Sequence, residues 1–364
     1  MTPGARAALA SDWLRRALPI VVALLGMVLV LNLIAFAFGQ APASTLRRAI
    51  EGSWGTPYGI GQVLFKATPL VLSGLAFDLA LRAGLFNIGT EGQLGAASLV
   101  GALVAAKLPP ATPWPVGVLV ALAAAASVGA AMAAVPALMR ARLGVHEIIS
   151  GIMLNRIVDV LLPWVLGVVI ASSTLRTDDV VAGAAVPRLE QVLPAFKGSA
   201  ASFAFALAVA VAYAVHAWAR KSRAGREIAW VGLGPDAYRA EGIDVGKRIV
   251  QAMLLSGAIA GLAMSGTVLG YKGYFELGLG AGAGFSGIAV AMLARGSATG
   301  IVLGAILLGT LEQAGFAINA RVPKEAMDVL EAVAIVLVAV AYRASEQKSG
   351  STPAAPPAAA EAAR

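Results

Sequence analysis

Three side chains able to make strong hydrogen bonds, Asn87, Glu91 and Gln93, fall within twelve residues of the stretch "GLFNIGTEGQLG", residues 84–95. Amides and carboxylates bind the hydroxyls and ring edges of polar solutes, and Phe86 offers a face for stacking. The same residues admit two other readings. Asn87 suits a helix N-cap, with Glu91 in the first turn that follows. Gly89, Gly92 and Gly95 keep the backbone slim, as close helix packing requires. A second polar group lies in "GVHEIISGIMLNRI", residues 144–157, where Asn155 and Arg156 precede Asp159. Arg156 and Asp159 stand three apart, close enough on a helix to pair. They form either an internal ion pair that neutralises both charges or a polar lining for a solute route.

These groups are unusual because the surrounding chain is apolar. Of 364 residues 59% are hydrophobic and 13% charged, against roughly 25% charged in soluble domains. Apolar runs near the length of about 20 residues that a bilayer requires recur from end to end. An all-α, polytopic membrane protein is expected, with about ten transmembrane segments at 18–38, 60–81, 85–106, 114–139, 147–171, 201–219, 249–270, 285–294, 298–316 and 326–342. The run 285–294 is too short to cross alone, which points to a broken or re-entrant helix near 285–316. Such backbone is tolerated only against protein or a cavity.

Counting basic residues on alternate sides, with the N-terminus inside, gives 17 inner against 9 outer, leaving Lys66 and Arg156 within spans. This bias predicts N-in and C-in. A cytoplasmic segment 1–17, a membrane domain 18–342 and a disordered cytoplasmic tail 343–364 follow. The longest outer loop is 172–200, and the inner loop 220–248 carries seven basic and four acidic residues. The net charge of +8 is read as this loop bias and not as a nucleic-acid surface.

Within the inner loop, Pro235 suits a first helical turn, Asp236 complements the positive helix end, and Gly242 can end the helix. The loop reads either as a solvated, topology-setting segment or as a short helix offered to a cytoplasmic partner, with Tyr238 at its surface. Beyond it, Gly257, Gly261 and Ser265 recur every four residues, a helix-packing stripe.

Several chemistries are excluded. There is no cysteine, and the two histidines, His146 and His216, are far apart, so no metal site is expected. No phosphate-binding loop is present, so the chain is not expected to hydrolyse nucleotide itself. The glycine-rich "ELGLGAGAG" at 276–284 follows no strand and is read as a re-entrant linker.

The blocks "GLFNIGTEGQLGAA", "GVHEIISGIMLNRI", "GLGPDAYRAEGIDV" and "GFSGIAVAMLARGSATGIVLGAILLG" resemble, in that order, the permease subunits of bacterial ABC importers for nucleosides and simple sugars. The resemblance runs from about Pro69 to Tyr342 and is nearer the nucleoside branch. It implies a multi-pass protein of the bacterial inner membrane, a cytoplasmic ATPase partner holding ATP and Mg, an extracytoplasmic substrate-binding protein and a second permease. It also implies an ATPase-docking helix within Pro235 to Gly242, with Asp236, Arg239 and Glu241 at its surface. The substrate path is expected at Phe86, Asn87, Glu91, Gln93, Asn155, Arg156 and Asp159. Family members often have Asn where this chain has His146, and an aromatic residue where it has Arg156. The competing functional class is an ion-coupled secondary transporter, which usually shows inverted repeats and a midplane coupling carboxylate.

Overall fold

The computed structural model describes Gly26, residues 28–320 without interruption, and scattered positions from 322 to 340. The segments 1–17 and 343–364 lie outside the described residues, and the expected spans 18–38 and 326–342 lie only partly within them. The chain divides into two compact units, residues 1–49 with 315–364, and residues 50–314. Helix α1, Val28–Ala37, is bent by 119° from α2, Pro42–Ser53, which runs across the division at residue 49.

The larger unit is built of helices, with isolated β-bridges but no strand among the described residues. Among the described residues five helical stretches are long and apolar enough to cross a membrane: Pro57–Arg82 (α3), Trp114–Leu143 (α5), Glu147–Val169, Val245–Lys272 and Ala298–Ile318 (α12). The bent pair α1–α2 makes six if it counts as one crossing. The stretch Glu147–Val169 is helix α6, Glu147–Trp164, continued by a π-helical turn, Val165–Val169. Val245–Lys272 contains α10, Val245–Gly261, and a π-helical segment, Ser265–Lys272. The 18-residue helices α4, Thr90–Lys107, and α7, Ala204–Lys221, occupy two further expected segments, with polar residues at their ends. The chain is a polytopic α-helical membrane protein.

Small residues hold the bundle together. A Cβ on Gly257 would stand inside contact distance of the Gly129 carbonyl of α5, and one on Gly129 would strike Gly257 in return. Gly261 lies equally close to the Ala125 carbonyl. Two of the three expected stripe residues therefore bring backbones together, as apolar solvent favours. Ser265 is buried but opens the π-helical segment, where the four-residue register of an α-helix no longer holds.

The loop 220–248 holds two helices where one was expected. α9, Pro235–Ala240, has Pro at its start and ends beside Gly242, whose φ is +78°. The unforeseen α8, Arg223–Leu233, is capped by Ser222, which accepts from the Gly225 N–H at 2.9 Å. Its arginines read as solvated loop, yet Glu227, Ile228 and Val231 are buried beneath them. Trp230 of α8 stacks on Tyr238 of α9 at 5.7 Å and 8°.

The Glu227 carboxylate accepts from Arg223 Nε at 2.6 Å and Arg248 Nε at 2.7 Å, tying α8 to α10. The Arg223 hydrogen bond, with help from Arg248, holds the Glu227 carboxyl below its ordinary value of 4.5. A carboxyl depressed by folding stabilises the fold above its unfolded pKa and ceases to as pH falls through the folded one. Thermal stability in detergent is therefore expected to drop below about pH 4.5, and less so in Glu227→Gln. Equal acid sensitivity in the two proteins would refute this role.

Candidate functional site

The stretch 84–95 sits where α3 turns into α4. The span expected from residue 85 begins as irregular backbone, with Gly84 at φ +73°, and becomes helical only at Thr90. Asn87 does not cap that helix: the cap residue is Gly89, with no side-chain bond. Instead the Asn87 and Gln93 amides pair reciprocally, each Nδ2 or Nε2 donating to the other's oxygen at 2.9 Å. Asn87 Nδ2 also donates to Ser256 Oγ of α10 at 2.8 Å, and that hydroxyl donates to the Ala76 carbonyl of α3. Asn155 of α6 clasps the turn from the other side. Its Oδ1 accepts from the Gly92 N–H at 3.0 Å and its Nδ2 donates to the Ile88 carbonyl at 2.9 Å. The Phe86 N–H donates to Glu147 Oε1 at 3.1 Å. All four side chains, Asn87, Gln93, Asn155 and Ser256, are buried. They satisfy backbone and one another, which unhydrated irregular backbone at membrane depth requires.

Glu91 has a partner 191 residues away. Its Oε1 accepts from the Gly282 N–H at 2.6 Å and its Oε2 from the Gly284 N–H at 2.8 Å. Those amides open α11, Ala283–Ala294, the short apolar helix expected to be part of a broken crossing. The carboxylate thus caps α11 from a neighbouring helix, where the helix dipole favours negative charge. The approach demands glycine: a Cβ on Gly284 would lie 2.5 Å from Glu91 Cα and N. At the opposite end, Arg82 donates to the Gly296 carbonyl at 2.8 Å while pairing with Asp78 at 2.9 Å. One anion and one cation from α4 and α3 therefore grip the two ends of α11.

A cleft of 190 Å³ opens beside this cap, lined by Glu91, Leu94, Val158, Asp159, Leu162 and Phe275 together with the 277–281 glycine segment. That segment continues a stretch bonded to the loop 172–200. The Thr177 N–H donates to the Phe275 carbonyl at 2.9 Å and the Val180 N–H to the Gly273 carbonyl at 2.7 Å. The glycine run is thus shaped at both ends, by the loop 172–200 and by Glu91.

Of the expected path residues, Glu91 and Asp159 line the cleft, while Asn87, Gln93 and Asn155 build its support. Phe86 is partly exposed and sets its ring edge-on to Phe77 at 5.5 Å. Arg156 is not among the residues that line the cleft; it is exposed on α6, lines a separate groove with Met153 and Trp164, and binds Asp159 at 3.2 Å. Sequence reasoning missed Ser256, Gly282, Gly284 and Arg82. The glycines were visible only as a linker, and nothing local marks Ser256 or Arg82 as partners of this segment.

The loop helices reach the same turn. A Cβ on Gly232 of α8 would collide with the Arg82 carbonyl and come within 2.8 Å of the Gly84 N–H. Ile228 shares an apolar cluster with Ala83, Leu85, Met253 and Ala137. α8 therefore rests on the backbone that leads into Asn87 and Glu91. Leu233 beyond it is 80% exposed.

The larger unit is a bundle of apolar helices in which the short α11 is held at both ends beside a cleft. The profile of the permease component of the branched-chain amino acid transport system matches residues 59–340, and the chain belongs to that family. It is 35% identical over 333 residues to the guanosine ABC transporter permease NupP of Bacillus subtilis, covering 89% of this chain and 93% of that one. It is 31% identical to the glucose ABC transporter permease TsgB13 of Haloferax volcanii, over 77% and 76% of the two chains. Identity to the nucleoside ABC transporter permease NupB of Lactococcus lactis is 30%, over 85% and 87%.

Proposed function

We propose that this chain is the membrane-spanning subunit of an ATP-driven importer that moves nucleosides, or a related simple sugar, across the bacterial cytoplasmic membrane by alternating access. The observation that carries the reading is the interrupted crossing: the N-terminus of α11 is held by Glu91 at a cleft lined by amide-supported backbone, Asp159 and an aromatic ring. Discontinuous helices of this kind mark solute sites in transporters. An uncharged polar solute suits a route in which the lining charges are already engaged, Glu91 by amides and Asp159 by Arg156. The nucleoside and sugar permeases among the relatives support the substrate class.

In this reading both termini are cytoplasmic and the loop 172–200 faces outward to meet a substrate-binding protein. α8 and α9 meet an ATPase that holds ATP and Mg, and a second permease completes the membrane part. Because α8 lies on the turn at 82–84, a push on the loop reaches the Glu91–α11 contact through packed backbone.

Pull-down of the chain is expected to bring an ATPase, and uptake of labelled guanosine to cease when that ATPase is inactivated. A panel of nucleosides and pentoses, with and without the receptor, fixes the substrate. Arg239→Glu combined with Glu241→Lys is expected to weaken ATPase association while leaving membrane insertion intact. Ion-driven uptake by the purified chain alone in liposomes would defeat the proposal in favour of a secondary transporter.

A further inference from the structure

Two arginines remote in sequence line one cavity where α11 ends: Arg82, the last residue of α3, and Arg295, just past α11. Arg82 Nε and Nη2 engage Asp78, the Gly296 carbonyl and, at 3.4 Å, His216 Nδ1 of α7. Its Nη1 group donates to nothing among the described residues. Arg295 is exposed and stands in the left-handed region, at φ +51°. A Cβ crowds the next carbonyl there, so helices that end this way favour glycine. Backbone preference thus argues against a long side chain at 295, and an outlier of this kind points to a use for the guanidinium.

The cavity measures 240 Å³, and Asp78, Leu81, Met292 and Gly296 line it along with the two arginines. That volume admits a phosphate group but falls below the roughly 300–1,000 Å³ of sites that enclose a whole small molecule. Asp78 balances Arg82, so the lining carries one positive charge in excess, that of Arg295. A phosphodiester supplies the one negative charge that balances it, and guanidinium–phosphate hydrogen bonds are among the strong ones. The rest of the wall is apolar, and Met292 is 52% exposed. A free phosphate has no use for that wall, whereas a lipid brings an acyl chain to it. Beside the cavity α7 ends in Arg220 and Lys221, and its exposed Tyr213 pairs its hydroxyl with Thr299 Oγ1 at 3.0 Å. Basic side chains and tyrosine at helix ends mark the headgroup level, and basic pockets between helices there bind anionic lipid heads.

We propose that the cavity between Arg82 and Arg295 holds the phosphate of an anionic phospholipid of the cytoplasmic leaflet, with its acyl chains running outward past Met292. Arg82 Nη1 and the Arg295 guanidinium donate to the phosphate oxygens, and Leu81 and Met292 meet the first methylenes. Because Arg82 also binds the Gly296 carbonyl, the lipid steadies the end of α11 opposite Glu91. The choice of leaflet rests on the permease reading; the site itself rests on the cavity.

The test uses the complete transporter, co-expressed with all its subunits, delipidated in mild detergent and titrated with phosphatidylglycerol, phosphatidylcholine or inorganic phosphate. Native mass spectrometry, with the permease chain released by collision, counts what that chain retains. One phosphatidylglycerol is expected to be held about tenfold more tightly than phosphatidylcholine, the preference that one or two arginine contacts supply. Arg295→Gly removes the guanidinium while suiting the left-handed backbone. It is expected to melt no lower than wild type in lipid-free detergent and to lose the preference for phosphatidylglycerol. Arg295→Asn, the other residue that tolerates this backbone, is expected to lose it equally. Equal retention of the two lipids by wild type, or an unchanged preference in both variants, would overturn the site. Displacement of the lipid by inorganic phosphate alone would overturn the lipid assignment in favour of a free phosphate. Since the readout is lipid retention, a transporter without ATP-driven uptake that still selects phosphatidylglycerol refutes the permease reading and leaves the site standing. Uptake without that selection does the reverse.

Discussion

Glu91→Ala is expected to lower the maximal rate of ATP-driven uptake about 30-fold or more, with little change in the concentration of solute giving half-maximal rate. The alanine leaves the Gly282 and Gly284 N–H groups without the acceptor that now meets them at 2.6 and 2.8 Å. Hydrogen bonds to a charged acceptor contribute about 1.5–3 kcal/mol each. The two share one carboxylate and do not simply add, so a total of about 2–4 kcal/mol is reasonable, and about 1.4 kcal/mol corresponds to tenfold. The loss falls on the position of α11 and hence on the rate. If Glu91 served instead as a solute ligand, half-saturation would rise and the maximal rate would persist. Glu91→Gln retains one acceptor oxygen and should lie between alanine and wild type. Uptake by Glu91→Ala within twofold of wild type would show that α11 does not need its cap.

Gly257→Leu is expected to abolish accumulation of folded protein. The Cβ alone would overlap the Gly129 carbonyl and come within 2.5 Å of the Ala133 Cβ, and the facing atoms are largely backbone that no rotamer change can move aside. Overpacking against mobile side chains costs about 1–3 kcal/mol. Forcing two helix backbones apart costs more, against a total stability of only about 5–15 kcal/mol. Gly257→Ala should fold but melt at a clearly lower temperature in detergent. Gly246→Ala, on the same helix, meets nothing nearer than 3.5 Å and should be neutral or slightly stabilising. Monodisperse, wild-type-like Gly257→Leu in size-exclusion chromatography would contradict the packing argument.

These two positions show what a sequence does and does not reveal. Gly257 and Gly261 announce their role because a four-residue repeat of small side chains is local, and it survives in the structure as close contact with Gly129 and Ala125. The repeat misleads only at Ser265, where the helix widens into π geometry. α9 was legible from Pro235, Asp236 and Gly242, all within one turn of its ends. α8 was not, because its buried face of Glu227, Ile228 and Val231 is interrupted by arginines that look solvated until Glu227 is seen to bind two of them.

For Glu91 the stretch itself posed three roles. The structure shows Glu91 in the capping role, though for a helix 191 residues distant and not for its own. Asn87 likewise has the chemistry of a cap and spends it on Gln93 and Ser256. By itself the sequence determined that the chain is a helical membrane protein, where its apolar segments lie, and which few polar side chains must be satisfied among them. Hydropathy and helical period depend on neighbours within a turn or two, so they are written along the chain. Which N–H groups meet the Glu91 carboxylate, which oxygen Arg82 reaches, and which side of Arg156 is left uncovered were decided by packing. Each is a meeting of segments far apart in order, brought together only when backbones close at glycine.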